Sequence, residues 1–408
     1  MDRIVYICLN GKEYDGTVFV TQIADWLKIY QENGVDFEYL HLFPIQSLKR
    51  SAWRAQQSAS IKKVIPGWKE YSYSFPSRGL LVNVNAWLWA RKIKKLSKGA
   101  DKIVIFSRMI YGKEISAFRK LIKTPIYFIY DARAASVEEN KYNAVKGNYL
   151  SKKQFDMFSH ISYTECVTVQ EADKIFSVSN QLKKYLVMNY GVGGEKFFIY
   201  PCLSDNRKFY YDQKLRDSFR KELGYTEQNT VYLYSGGLGN VYHVSDSILS
   251  FIDAVAEKDE NSRFLLLSKD TVGDDLYTRY PHIKGKIINR SVPNEEIVKY
   301  LNVADYGLLF RENVPMNNVA SPSKFAEYML CGLPTLISEG VGDYSGLCET
   351  EDVGILINEA ELKSPDRIIE HLKGSASFSR EKIASYGKEH FSKQSLLPSI
   401  IAEFKKAL

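Results

Sequence analysis

The chain has 408 residues, enough for two domains at about 100 to 200 residues each, and its 45% hydrophobic and 25% charged residues exclude disordered, collagen-like and fibrous classes. Its longest apolar stretch, 79–90, falls short of the ~20 residues that span a bilayer, and the start runs directly into a strand pattern with no leader-like segment, so a cytoplasmic protein is expected. Five scattered cysteines (Cys8, Cys166, Cys202, Cys331, Cys348) form no CxxC pair, which argues against a disulfide framework or zinc ribbon, and a net charge of +7 without any small DNA- or RNA-module signature predicts no nucleic-acid partner.

In chain order, β-branched and aromatic runs alternate with amphipathic helical stretches, the pattern of parallel sheets with crossover helices. The fold class is α/β: two doubly wound, Rossmann-like domains expected to face a central cleft. In the first half the strands fall at 4–9, 37–42, 102–106, 126–130 and 174–178, with helices at 18–33, 80–98, 114–122 and 149–171. Tyr14-Asp15-Gly16-Thr17 joins the first strand to the first helix; Gly16 there offers a backbone N–H to a donor phosphate, or is a plain turn. The segment 41–100 carries 12 Lys/Arg against one acid, Glu70, and is threaded with Trp53, Trp68, Trp87 and Trp89. Such a face suits an anionic membrane surface or a polyanion, and the bland alternative is a solvated helix end. Arg108 and Asp131-Ala132-Arg133 follow apolar strands, where doubly wound sheets bind ligands; the Asp131–Arg133 pair also reads as a local salt bridge.

Regular periodicity stops near Pro201 and resumes after Tyr211, which sets a boundary at 203/204, a second domain over 204–385, and a last helical segment, 386–408, expected to return to the first domain. Strands of the second half fall at 231–234, 264–268, 286–288, 306–310 and 335–337, with helices at 245–257, 295–303 and 322–331. Tyr234-Ser235-Gly236-Gly237 runs from a strand into a glycine loop whose backbone can approach a phosphate. Asn289-Arg290-Ser291-Val292 is a loop after a later strand. The densest signal is Ala320-Ser321-Pro322-Ser323-Lys324-Phe325-Ala326-Glu327, in which Ser321 reads as N-cap and Pro322 as the first helical residue. Lys324 then sits in the first turn, where the helix dipole disfavours a cation, and a bound diphosphate would remove that conflict, with Arg311 adding charge. Glu327, one turn on, can accept hydrogen bonds from vicinal ribose hydroxyls. A solvated lysine and an exposed helix glutamate are the plain alternatives.

The run Ser321-Pro-Ser-Lys-Phe-Ala-Glu327-Tyr-Met-Leu-Cys-Gly-Leu-Pro334, with Ala172-Asp173-Lys-Ile-Phe-Ser177-Val-Ser179 and Tyr200-Pro201-Cys202, resembles the GT-B nucleotide-sugar glycosyltransferases, specifically glycosyltransferase family 4 of bacterial surface-polysaccharide assembly. The resemblance implies a retaining hexosyltransferase. It implies a nucleotide diphosphate sugar as donor, UDP-linked by expectation, and a saccharide or polyprenyl-diphosphate-linked saccharide as acceptor. No cofactor and no metal ion are implied. Glu327 corresponds to the ribose-binding second glutamate of the E-x7-E motif, whose first glutamate is replaced by Val319; the Arg and Lys that the family places after the glycine loop are replaced by Asn240 and His243. The loop with Arg290 and Val292 resembles the base-binding loop. Site residues carried forward are thus Lys324, Arg311, Asp131 and Arg108 for the chemistry, and Gly16, Gly236, Gly237, Arg290, Val292, Ser321, Ser323, Lys324 and Glu327 for the donor. Two other readings stay open: a non-hydrolysing sugar-nucleotide epimerase, and an inactive nucleotide-binding scaffold of an assembly complex.

Overall fold

The computed structural model describes residues 3–11, 19–144, 152–237, 245–270, 274–374 and 378–406. The chain divides into two compact units, Met1–Tyr200 with Ser399–Leu408, and Pro201–Pro398.

The first unit holds a seven-stranded, wholly parallel sheet: β1 (Ile4–Asn10), β2 (Phe37–Pro44), β3 (Tyr71–Ser74), β4 (Lys102–Ser107), β5 (Ile126–Ala132), β6 (Lys174–Ser177) and β7 (Phe197–Ile199), in the order β3-β2-β1-β4-β5-β6-β7. The order reverses between β1 and β4, so the loops after those strands open onto one crevice. Helices α1 (Asp25–Glu32), α2 (Ser51–Val64), α3 (Leu81–Leu96), α4 (Gly112–Arg119) and α5 (Lys152–Glu171) cross over between strands. A π-helical turn, Val20–Ala24, precedes α1 where a regular helix from residue 18 is predicted. Phe404, fully buried, packs against Tyr30, Phe37, Phe106 and Phe176 of the first core, which draws the last residues of the chain into this unit.

The second unit has six parallel strands: β8 (Thr230–Ser235), β9 (Ser262–Leu267), β10 (Ile287–Arg290), β11 (Tyr306–Leu309), β12 (Thr335–Ser338) and β13 (Gly354–Ile357), in the order β10-β9-β8-β11-β12-β13. Here the reversal lies between β8 and β11. Helix α6 (Ser245–Lys258) brings Ile248, Phe251 and Ile252 onto a core with Tyr232, Phe264 and Phe310, while α7 (Ser323–Leu330) follows β11. Gly307 on β11 lets Tyr328 of α7 come close, since a Cβ there would stand 2.5 Å from the tyrosine ring. Helix α8 (Arg380–His390) packs the same way at Gly387, whose Cβ position is 2.5 Å from the Met329 backbone, and Phe391 meets Phe325 and Tyr344. These contacts keep 386–398 with the second unit, so only the end of the final helix α9 (Lys393–Lys406) joins the first. The two compact units thus part at 200/201 and 398/399, beside the expected divisions at 203/204 and 385/386. No helix of the described residues is long and apolar enough to cross a membrane.

Candidate functional site

In the second unit the sequence signals converge at the reversal of strand order. Strand β8 ends at Ser235, and Gly236 turns with φ +143°, a region L side chains rarely adopt, while its N–H bonds to the Leu267 carbonyl at 2.9 Å. The space a side chain would take is occupied by Lys324: a Cβ on Gly236 would stand 2.2 Å from the Lys324 ammonium. Tyr234, the last residue but one of β8, holds both parts. Its ring carries the Lys324 Nζ at 5.0 Å from the centroid, and its hydroxyl donates to the Gly237 carbonyl at 2.9 Å. The sequence reading singles out the glycines and not Tyr234, whose only signal is its position two residues before the pair.

Lys324 reaches this position from the first turn of α7. The helix begins one residue later than predicted, with Pro322 (φ −67°, ψ 123°) as the N-cap residue, and no side chain caps it among the described residues. Ser321 is therefore not the cap. Its hydroxyl accepts from the Cys202 N–H at 2.9 Å and is hydrogen-bonded to Tyr344 Oη at 2.7 Å, partners that the local sequence does not reveal. Ser323 becomes the first residue of the helix and is half-buried; in that turn the Phe325 N–H donates to the Pro322 carbonyl at 3.1 Å.

Arg311 stands two residues after the end of β11, across the reversal from the glycine pair. Its N–H bonds to Ser338 Oγ at 2.8 Å, and its Nη1 donates to Asn317 Oδ1 at 3.3 Å. It is close enough to repel Lys324. Burial, reinforced by Arg311, lowers the lysine to about 7, and burial raises Glu327 to about 7 against the partial offset of Lys324. By exposed surface both residues are only half-buried, yet each charge is ringed by enough protein to be desolvated. Val319, at the place of the missing glutamate, is buried.

Arg290 and Val292 are not brought into this group by any contact described. Arg290 ends the edge strand β10, two strands from β8; its Nη1 donates to Tyr300 Oη at 3.0 Å and its carbonyl accepts from the Ser268 N–H at 3.1 Å. Val292 follows in an extended segment, half-buried.

In the first unit Gly16, with Tyr14, Asp15 and Thr17, lies outside the described residues, as do Asn240 and His243 in the second. Asp131 is wholly buried at the end of β5 between Arg108 Nε at 3.0 Å and Arg133 Nε at 2.7 Å. Arg108 also donates to the Gln22 carbonyl in the π-helical turn at 2.9 Å, and Arg133 lies over the Tyr200 ring at 4.4 Å. This triad ties the ends of β4 and β5 to the helix after β1. Both alternatives of the sequence reading meet here: Asp131 and Arg133 form a salt bridge, and it stands at the crevice end of the sheet.

No protein-family model matches the chain, and no curated protein is significantly similar to it. Solved structures do match over nearly the whole length. Sucrose-phosphate synthase from Thermosynechococcus elongatus is 12% identical with a TM-score of 0.68, covering 98% of each chain. HepE from Anabaena, solved in complex with UDP and glucose, is 12% identical with a TM-score of 0.63 over 100% of both chains. A putative UDP-N-acetylglucosamine 2-epimerase from Listeria monocytogenes is 11% identical with a TM-score of 0.54, covering 98% of this chain and 97% of that one. At these identities the likeness is one of fold: the chain has the two-domain GT-B architecture of Rossmann-like units, shared by glycosyltransferases and that epimerase.

Proposed function

We propose that the protein is a nucleotide-sugar glycosyltransferase that binds its donor in the second domain, with the diphosphate between the Gly236-Gly237 turn and the start of α7. One observation carries this reading. A lysine is held against a glycine turn at the N-terminus of a helix without a side-chain cap, at the point where strand order reverses, an arrangement that places cationic and N–H groups where a diphosphate gains most. In the transfer, the bond from the anomeric carbon to the diphosphate oxygen breaks as the bond to the acceptor oxygen forms, negative charge grows on the departing phosphate, and the acceptor hydroxyl's proton passes to that phosphate. Lys324, backed by Arg311, stabilises that charge, and the desolvation that makes Lys324 costly when the site is empty strengthens the interaction once the anion is present. Glu327 accepts hydrogen bonds from the ribose, and the backbone of 289–292 reads the base.

The finer reading is a retaining, metal-independent hexosyltransferase of family 4 type with a UDP-linked donor, acting on a saccharide or a polyprenyl-diphosphate-linked saccharide in polysaccharide synthesis. HepE, solved with UDP and glucose, supports the choice of base. The Asp131–Arg108–Arg133 triad is assigned to holding the first domain's strand ends and not to bond making, since its carboxylate is already shared by two guanidiniums.

Incubation with radiolabelled UDP-, GDP- and ADP-sugars and a polyprenyl-diphosphate saccharide tests the reading. Label moved to the acceptor is the expected result. An epimerised donor without transfer would support the epimerase, and donor binding with neither product would support an inactive scaffold, to which the buried Val319 lends weight.

A further inference from the structure

The basic, aromatic segment predicted from sequence is resolved into two different things. Trp68 and Trp89 are buried, their ring N–H groups donating to the Glu70 and Tyr73 carbonyls at 2.8 and 2.9 Å. Lys92 and Lys95 share Glu70. Lys49, Arg50, Lys62, Lys63 and Lys69 stay exposed elsewhere in the segment, and helix α3 with its leading turn presents one outward stripe that joins apolar and basic side chains. Leu80 at the N-cap and Val84, Trp87, Arg91 and Lys94 recur at steps of four and three, so they share a single helical face, with Lys98 in the turn after the helix. Leu80 is 83% exposed and Trp87 51% exposed. The face opposite, Asn85, Ala86, Trp89, Ala90 and Ile93, is buried.

The stripe is apolar at the helix start and basic at its end, and Arg91 lies over the Trp87 ring at 4.9 Å where the two zones meet. Neither Arg78, just before the helix, nor Arg91, Lys94 or Lys98 has a carboxylate within ion-pair distance among the described residues. Helix α5 also exposes Phe155 (64%) and Tyr163, the latter beneath the Lys113 ammonium at 4.4 Å.

We propose that this face, Leu80, Val84 and Trp87 with Arg78, Arg91 and Lys94, docks on an anionic lipid leaflet. The apolar side chains enter the boundary between headgroups and acyl chains, and the guanidinium stacked on Trp87 meets the phosphates, a division of labour that suits helices lying on a membrane. A second copy of the chain fits the face poorly: each copy would bring Arg78, Arg91 and Lys94 to the contact, and the stripe has no carboxylate to pair with them. The surface stands whether or not the transfer reading holds, and its test uses no nucleotide.

The full chain is sedimented with vesicles of phosphatidylglycerol or of phosphatidylcholine, at low ionic strength and at physiological salt, where the Debye length shrinks to ~8 Å. Binding to phosphatidylglycerol, weakened by salt and slight on phosphatidylcholine, is expected. Each basic residue near the surface is worth roughly five-fold in affinity, so R91Q/K94Q/K98Q together should weaken binding about 100-fold. L80S/W87S should remove the binding that survives at high salt. Both sets lie on the exposed stripe, and unchanged melting temperatures confirm intact folding. The proposal is overturned if the wild type fails to bind phosphatidylglycerol at low salt, if the triple variant binds as the wild type does, or if light scattering shows a dimer that L80S/W87S dissolves without any lipid binding.

Discussion

Lys324 and Glu327 both titrate near neutrality when the donor site is empty, which makes donor binding a proton-linked event whose sign reverses with pH. With the lysine lowered to about 7 most of it is neutral at pH 8, and with the glutamate raised to about 7 most of it is protonated at pH 6. A diphosphate favours the charged ammonium, so binding at pH 8 draws in protons, at most one per site. Acceptance of two ribose hydroxyls favours the carboxylate, so binding at pH 6 releases a similar amount. The net exchange therefore passes through zero near pH 7. The assay is calorimetric titration with a nucleotide sugar, whose diphosphate has no group of its own titrating in this range, in buffers of different ionisation enthalpy. Lys324→Met should abolish uptake at pH 8 and leave release at pH 6; Glu327→Gln should do the reverse. An exchange that is zero at both pH values, or uptake at pH 8 that persists in Lys324→Met, refutes the placement of the diphosphate on this lysine.

Glu327→Ala should keep the fold and weaken the donor by about 1.5 to 3 kcal/mol through loss of a charge-assisted contact, read as the dissociation constant. Gly236→Ala should weaken the donor nearly as much as loss of Lys324 itself, because the new Cβ needs the space held by the ammonium and the backbone there has φ +143°. Asp131→Asn leaves two arginines facing a neutral amide in a buried place and should destabilise the first domain by about 3 to 5 kcal/mol, seen as an earlier melting transition, with donor affinity unchanged.

The alternation of strands and helices carries the fold class because the central strands, such as β1, β4, β8 and β11, are apolar runs buried on both faces. The strands Tyr71–Ser74, Phe197–Ile199 and Gly354–Ile357 are not predicted: the first alternates tyrosine with serine, the second is three residues long, and all three lie at or next to sheet edges. At the candidate site the Ser-Pro-Ser-Lys run and the glycine pair are visible in sequence, and their meeting is not: it depends on β8 and β11 lying side by side. The predicted cap fails for the same reason, as the Ser321 hydroxyl goes to Cys202 and Tyr344, which only the folded chain brings near. In segment 41–100, charge counting treats all tryptophans and lysines alike, whereas in the structure burial sets Trp68 and Trp89 apart and pairing with Glu70 sets Lys92 and Lys95 apart from the outward stripe.

The central claim is that a nucleotide diphosphate sugar binds where the Gly236-Gly237 turn, Lys324 and Glu327 meet. Its most direct test is calorimetric titration of the wild type and of Lys324→Ala with UDP-, GDP- and ADP-glucose at pH 7. The account predicts saturable binding of at least one donor, with UDP-glucose preferred, and a loss of affinity of about ten-fold or more in the variant, in keeping with a charge-assisted contact. Absence of binding by all three donors, or equal affinity in both proteins, would contradict it.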